Sequence, residues 1–376
     1  MSSIYIHIPY CKKKCSYCNF HFRISKNDKD EMIQAMIKEL DLRENYLKSK
    51  KLNSLYFGGG TPSILNQKEI ELLFNKVREK YLIDENTEIS FECNPDDLDK
   101  EKLLLLKKLG VNRLSIGIQS FNDEDLNFMN RSHNSTQAMD CVKFSQEIGF
   151  NNISIDLIFS LPNQTLKDWK RNLDIAFNLG IQHISSYSLT IEEKTKINHL
   201  IKTKKITELD DDISLQQYNL LIKESEKNDF THYEISNFGK ENYFSKHNSS
   251  YWLGNEYLGI GPSAHSYNRK SRSWNVRSNK KYISEIKNNR LPSETEILTN
   301  SEKFNDYIMT HLRTIWGVDT NYILKYFGEK ILSDFIIDLK KWENSKDLTH
   351  QDENVKLTKK GKYISDAICS DLFTDS

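Results

Sequence analysis

Ile4-Tyr-Ile-His-Ile8-Pro9-Tyr-Cys11-Lys-Lys-Lys-Cys15-Ser-Tyr-Cys18 is a strand-like apolar run that ends in three cysteines. The other three cysteines, Cys93, Cys141 and Cys369, are scattered. In a reducing compartment so tight a cluster reads as a metal or redox site, whereas the scattered thiols read as inert packing. The spacing Cys11-x3-Cys15-x2-Cys18 lets one loop wrap one metal centre. Iron–sulfur clusters are held by Cys thiolates, normally four, so three would leave one iron of a [4Fe–4S] cube open to an exogenous ligand. Zinc competes, because His21 completes a Cys3His set. The spacing alone leaves both metals open.

Outward from this stretch, strand-like and helix-like segments alternate. Ile4–Ile8 reads as a strand and Asp28–Leu47 as an amphipathic helix. Leu55–Phe57 is a short strand, Gln67–Tyr81 a helix, Glu88–Cys93 a strand and Lys100–Leu109 a helix. Then come a strand over Arg113–Ile118, a helix over Thr136–Ile148, a strand over Asn152–Phe159, a helix over Lys167–Leu179 and a strand over His183–Leu189. Gly110, Gly149 and Gly180 follow three of these helices, where a glycine stop is expected. Regular alternation implies parallel strands joined by right-handed crossovers. The unusual residues mark the ends of successive strands: the cysteines after the first, Gly58–Gly60 after the second, Glu92 in the third, Gln119 after the fourth, Asp156 in the fifth. That distribution favours an α/β fold of the partial (β/α)6 barrel kind over a doubly wound sheet with one switch point.

The second half is less regular. Asp211–Lys227 reads as a helix and Gly239–Arg277 as loops with short strands. Helical patterns return over Phe304–Leu312, Asp319–Phe327 and Ile331–Trp342, before a closing strand, turn and helix. The expected division is a barrel over 1–235, a connecting region over 236–300, and a small helical, winged-helix-like domain over 301–376.

Composition bounds the function. The 376 residues suggest two to three domains at about 150 residues each. The 53 basic and 53 acidic residues cancel, which argues against a generally basic nucleic-acid binder and gives no polybasic membrane anchor. No apolar run approaches the roughly 18 residues of a membrane span, and Pro9 with no basic segment before it argues against a signal peptide. A cytoplasmic globular protein is expected.

The motifs, in order, resemble the radical SAM superfamily in its coproporphyrinogen dehydrogenase-like branch. They are Tyr5-Ile-His7-Ile-Pro9-Tyr-Cys11-x3-Cys15-x-Tyr17-Cys18, Phe57-Gly-Gly59-Gly60-Thr61-Pro62-Ser63, Phe91-Glu92-Cys-Asn-Pro95, Ser115-Ile-Gly-Ile-Gln119-Ser-Phe121, Asn130-Arg131 and Asp156-Leu-Ile-Phe-Ser-Leu161-Pro162. The resemblance implies a [4Fe–4S] cluster on Cys11, Cys15 and Cys18 whose open iron is chelated by S-adenosylmethionine (SAM). Electron transfer into the sulfonium would then yield methionine and a 5′-deoxyadenosyl radical, chemistry carried by the cofactors and oriented by the protein. It also implies that Gly59, Gly60, Thr61, Glu92, Gln119, Arg131 and Asp156 contact SAM, with Tyr5 and Tyr17 nearby. The glycines would leave backbone N–H groups free for the methionyl carboxylate. Each residue also has a plainer reading: a tight turn at Gly58–Gly60, helix caps at Glu92 and Asp156, a strand end at Gln119, a surface ion pair at Arg131.

Two groups within that branch differ in function. The oxygen-independent coproporphyrinogen III dehydrogenases oxidise propionates to vinyls. They carry a further cysteine two positions after the third, and an N-terminal extension. Here that position is Phe20, and Tyr5 lies near the start. The haem chaperones of the HemW type end the motif in Cys-x-Phe and carry His-Asn-x-x-Tyr-Trp, matched by His247-Asn248-x-x-Tyr251-Trp252. The resemblance therefore implies a chaperone that carries haem to respiratory haem proteins, with coproporphyrinogen dehydrogenase as the alternative; delivery to a membrane-embedded client would require transient docking at the membrane. His247 is the candidate haem ligand, since neutral imidazole is a natural axial ligand, and His265 is a weaker one.

Overall fold

The computed structural model describes residues 2–374. Six strands, β1 (Ser2–Ile8), β2 (Leu52–Gly59), β3 (Glu88–Cys93), β4 (Arg113–Gln119), β5 (Ile153–Phe159) and β6 (His183–Ser188), lie side by side in chain order. Every neighbouring pair is parallel. Helices α1 (Lys29–Leu42), α2 (Gln67–Lys80), α3 (Lys100–Lys108), α4 (Asp123–Phe128), α5 (Ser135–Glu147) and α6 (Leu166–Asn178) make the crossovers. Strand order never reverses, so this is the partial (β/α)6 barrel rather than a doubly wound sheet. Both faces of the strands are covered, which is why they read as near-continuous apolar runs. Ile4, Ile6, Ile8, Leu55, Phe57, Phe91, Ile116 and Ile155 are all fully buried.

The local chemistry agrees with these boundaries. Asn66 with Glu69, Asn134 with Gln137, and Thr165 with Asp168 form reciprocal capping boxes that start α2, α5 and α6. Helix α1 stops at Leu42 rather than the expected Leu47, as three-residue turns from Asp41 to Glu44 and from Arg43 to Tyr46 replace the helical pattern. Two helices of the barrel half, α4 and α7 (Lys196–Lys202), escape sequence reading. Each is too short to display a helical period.

The second half extends the sheet on both edges. After α8 (Asp211–Lys227), β7 (Thr231–Glu234) and β8 (Asn237–Gly239) form an antiparallel hairpin beside β6. Helix α9 (Lys246–Trp252) follows, and β9 (Glu256–Ile260) then adds parallel to β1, with Ile4 opposite Leu258. Strands β10 (His265–Tyr267), β11 (Ser271–Asn275) and β12 (Ser293–Ile297) continue antiparallel, giving a twelve-stranded sheet. Across Gly239–Arg277, read as loops with short strands, and the residues flanking it, the chain supplies five short strands, β8 to β12, and two helices, α9 and α10 (Asn279–Lys287), which that reading did not foresee. Phe238, Leu258, Ile260, Tyr282 and Ile286 join the barrel's own core.

A buried network locks this region to α1. Glu39 is fully buried; its Oε1 accepts from Arg43 Nε at 2.8 Å and Asn275 Nδ2 at 2.8 Å, and its Oε2 from Gly261 N–H at 2.9 Å.

The C-terminal segment runs α11 (Asn300–Leu312), β13 (Val318–Asp319), α12 (Thr320–Phe327), α13 (Glu329–Asn344), the hairpin β14 (Leu348–Gln351) and β15 (Asn354–Leu357), and closes with α14 (Lys359–Lys362) and α15 (Ser365–Asp371). It has its own core around Phe304, Ile308, Phe335 and Leu339. No helix among the described residues is long and apolar enough to cross a membrane.

Candidate functional site

The C-terminal ends of the parallel strands open onto a cavity of about 620 Å³. Cys11, Cys15, Cys18, Tyr5, Tyr17, Gly59, Gly60, Thr61, Glu92, Gln119, Arg131 and Asp156 all line it. Residues spread over 150 positions of sequence meet here because the same ends of successive strands and the loops behind them converge, with Tyr5 and Asp156 reaching the space from the middle of β1 and β5. A larger groove of about 830 Å³, beside β7 and the C-terminal segment, holds none of them.

The cysteine loop is held by contacts independent of its thiols. Cys11 N–H donates to Arg23 O at 3.0 Å, and Ser16 N–H to Met129 O at 3.0 Å. Asn130 Nδ2 donates to Lys14 O at 2.8 Å, and Lys12 pairs with Asp96 at 2.9 Å and with Asp97. All three thiols are half-buried and free. Thr61 Oγ1 donates to Cys11 Sγ at 3.4 Å, and Arg131 Nη1 to Cys15 Sγ at 3.3 Å. Burial pushes the Cys11 thiol up to about 12 and raises Cys18, so metal binding here releases protons. No group of three or more His, Cys, Asp or Glu among the described residues gathers on a single ion. The zinc reading also needs His21, but His21 Nε2 is hydrogen-bonded to Asn279 Oδ1 at 2.8 Å. Three thiols facing one cavity, rather than converging on one point, suit a cube whose irons each take one of them.

Arg131 is no surface ion pair. Its Nη2 donates to Gly117 O at 2.6 Å and Asn94 Oδ1 at 2.8 Å, and its buried Nε has no partner, leaving a donor available inside the site. Glu92 caps no helix: its Oε1 accepts from Tyr56 OH at 2.8 Å and its Oε2 from Gly59 N–H at 3.1 Å. Asp156 faces the same space, with Ser115 Oγ at 3.5 Å. Gln119 ends β4 at a bulge with φ of 71°, a strained backbone that turns it towards the cavity. The unpaired donor of Arg131, the two half-buried carboxyls and the three thiols together fit a cluster and a zwitterionic, cationic cofactor.

One expectation is corrected. The glycine N–H groups are not free for a carboxylate: Gly59 donates to Glu92, and Gly60 donates to Ile8 O at 2.8 Å. Gly60 is required because β2 presses on the chain leaving β1. A Cβ there would stand 2.6 Å from Tyr10 O and 2.9 Å from Ile8 O.

Burial, reinforced by the Asp156 carboxylate, raises the Glu92 carboxyl from 4.5 to about 8, against the lowering effect of its two donors. Burial raises Asp156 from 3.8 to about 6. Between 4.5 and about 8 the folded chain therefore holds a proton on Glu92 that the unfolded chain has lost, so stability falls as pH rises through that window. Glu92→Gln is expected to flatten this decline in the ligand-free protein and leave the slope of Asp156 below about 6. Thermal melts of both proteins across the window check it; an undiminished slope in the variant refutes the assignment.

His247 is a second correction. It lies at the opposite, N-terminal end of the barrel, 1% exposed, with Nδ1 at 2.8 Å from Ser54 Oγ and Nε2 at 2.8 Å from Tyr251 OH. Neither nitrogen is free for iron, and burial lowers its pKa to about 3. The motif that contains it forms α9, whose first turn is capped by Glu88: the carboxylate accepts from Lys246 N–H at 2.9 Å and His247 N–H at 3.0 Å. Helix α9 is a plug across the strand starts. His247→Ala is expected to lower the melting temperature while leaving haem titration and the haem absorbance spectrum as in the wild type; a changed spectrum would restore the ligand role. His265 is exposed on β10, away from the cavity.

Sequence reading passed over several cavity residues. Tyr187 closes β6, as the strand-end rule would have indicated. Asn94 stands within the Phe91–Pro95 motif, and His7 in the first strand packs on Gly59.

The radical SAM superfamily profile matches residues 5–176. The chain is 34% identical over 372 residues to the haem chaperone HemW of Bacillus subtilis, covering 98% of both chains. It is 32% identical to HemW of Buchnera aphidicola subsp. Acyrthosiphon pisum, covering 97% of this chain and 96% of that one. Among solved structures it matches coproporphyrinogen III oxidase (HemN) from Escherichia coli, a radical SAM enzyme, with a TM-score of 0.86, 23% identity, and coverage of 99% and 90%, which shows a shared fold. With the strand-end cavity, the three-thiol loop and full-length likeness in one molecule, the chain belongs to the radical SAM superfamily and, within it, to the HemW family.

Proposed function

We propose that this protein is a haem chaperone that binds haem and passes it to respiratory haem proteins. One observation carries the reading: likeness to HemW chaperones spans 98% of this chain and 98% of the relative, well beyond the matched radical SAM segment. Phe20, in place of a fourth cysteine, supports it.

Cys11, Cys15 and Cys18 hold the cluster. Gly59, Gly60, Thr61, Glu92, Gln119, Arg131 and Asp156 surround SAM, with Tyr5 and Tyr17 beside it. When bound, these cofactors supply one-electron reductive cleavage of a carbon–sulfur bond. The chain's own residues provide position and charge. Arg131, tied to Asn94 and Gly117, presents its free Nε to an anionic group. Glu92 and Asp156 become anionic at little cost once a cation enters. With His247 enclosed, the haem surface is the cavity rim, where Phe20 is 74% exposed beside Phe22 and Lys13. Flat apolar rings suit a porphyrin face, and a lysine suits a propionate.

Haem titration tests this. The intact protein is expected to bind haem, Phe20→Ser to bind it at least several-fold more weakly, and neither to convert coproporphyrinogen to protoporphyrinogen with SAM and reductant. Protoporphyrinogen formation, or no haem binding, overturns the reading.

A further inference from the structure

Tyr5, a cavity residue, begins a run of aromatic rings that leads away from the cavity. Its ring centroid lies 6.0 Å from Tyr56 and 6.1 Å from His247; Tyr56 and His247 stack at 4.7 Å. His247 meets Tyr251 at 5.0 Å, Tyr251 meets Tyr257 at 4.5 Å, and Tyr257 meets Tyr267 at 6.1 Å. Tyr267 is half-buried on β10, so the run ends at solvent. Beyond it, Tyr322 is close enough to perturb the Tyr267 phenol.

Two of these phenols donate to imidazoles whose tautomers the surroundings decide. His7 Nε2 faces His21 O at 3.0 Å and must donate there, so its Nδ1, 3.1 Å from Tyr5 OH, is the acceptor. Ser54 Oγ gives its proton to Ser3 Oγ at 2.9 Å, so it accepts from His247 Nδ1–H. That leaves His247 Nε2 to accept from Tyr251 OH at 2.8 Å. Burial keeps both imidazoles neutral, with pKa values lowered to about 4 and about 3. Each phenol thus has a proton acceptor in place, and the imidazolium formed is unstable enough to return the proton. Tyr56 OH donates to Glu92 Oε1 at 2.8 Å, which takes its proton only when the Glu92 carboxyl is ionised, above about 8 or once a cation fills the cavity. Packing over Gly58 preserves the first contact: a Cβ there would stand 2.9 Å from the Tyr5 ring and 2.8 Å from Tyr56.

We propose that these residues form a one-electron relay that carries oxidising equivalents from the cofactor cavity to the surface, protecting the cluster and its thiols. The oxidant would be a hydroxyl radical, formed with hydroxide where ferrous iron held by Cys11, Cys15 and Cys18 would reduce hydrogen peroxide by one electron. It takes an electron from Tyr5 and becomes hydroxide, while the Tyr5 proton passes to His7 Nδ1. An electron from Tyr56, and then from Tyr251, refills the vacancy, and each proton returns to its own phenol. Tyr251 in turn hands its proton to His247 until Tyr257 supplies the next electron. The hole reaches Tyr267, whose proton leaves to water and neutralises the hydroxide. A solution thiol then gives the Tyr267 radical a hydrogen atom and departs as a thiyl radical. The sum is one hydroxyl radical and one thiol converted to water and a thiyl radical.

The relay rests on iron at Cys11, Cys15 and Cys18, so iron content is measured first. Reconstituted protein is treated with hydrogen peroxide and a nitrone spin trap, without thiol, and the adducts are mapped by peptide mass spectrometry. The expected result is label at Tyr267 in the wild type. Tyr251→Phe, which keeps the ring and loses the bond to His247, loses that label and gains it at Tyr5 and Tyr56. Tyr257→Phe serves as the second break. A ruthenium photo-oxidant tethered to Cys15 gives the same readout without iron, so failure of cluster binding is told apart from failure of the relay. Tyr267 label unchanged in both variants, or equal in untethered iron-free protein, overturns the relay and leaves the rings as packing.

Discussion

Cys15→Ala is expected to emerge from anaerobic reconstitution with neither iron nor sulfide while remaining folded. The cysteine loop owes its shape to Lys12 on Asp96 and Asp97, to Ser16 on Met129 and to Asn130 on Lys14, none of which uses a thiol. Removing a half-exposed thiol should change stability by no more than about 0.5 kcal/mol. On the proposed assignment it deletes one of three ligands to a cube that would already have an open iron, so the effect on the cluster is all or nothing. Iron and sulfide analysis with visible absorbance checks the first half, and thermal melting the second. His21→Ala is the matching control: iron loading should be unchanged, because that imidazole is committed to Asn279. Full cluster in Cys15→Ala, or loss of metal in His21→Ala, would overturn the ligand assignment.

Glu39→Ala is expected to be the most damaging substitution outside the site, at about 3–5 kcal/mol, because it strands the buried Arg43 guanidinium. It also removes the acceptor for Asn275 and for Gly261 N–H, so the junction between α1 and the β9–β11 edge loses its only shared carboxylate among the described bonds. Glu39→Gln keeps an acceptor in place and should cost less. Urea unfolding of the three proteins checks the order. Equal stability of Glu39→Ala and wild type would show that the network does not hold the sheet edge.

Much of the barrel was legible because parallel strands covered on both faces must be apolar, and each crossover helix carries its own start signal. β3 is read at its true ends, and α2 and α5 within one residue, for that reason. The cavity residues were legible for a related reason: a polar or glycine residue at the end of an apolar strand is conspicuous. All twelve barrel positions singled out line one cavity. Strands of the second half were not legible. β9 has five residues, one of them glycine, and it forms only because β1 offers an open edge in register.

His247 marks the boundary between the two kinds of knowledge. Sequence alone determined the alternation, the cysteine loop and the identity of the strand-end residues, since these follow from local periodicity and from chemistry carried within a few positions. It also made a histidine beside Asn248 look like a ligand. Only the tertiary structure decided which end of the barrel that histidine occupies, and that Ser54 and Tyr251, some 190 and 4 positions away, take both its nitrogens. A side chain's availability depends on partners brought in by long-range pairing and on the water those partners exclude, and neither is written in its neighbours.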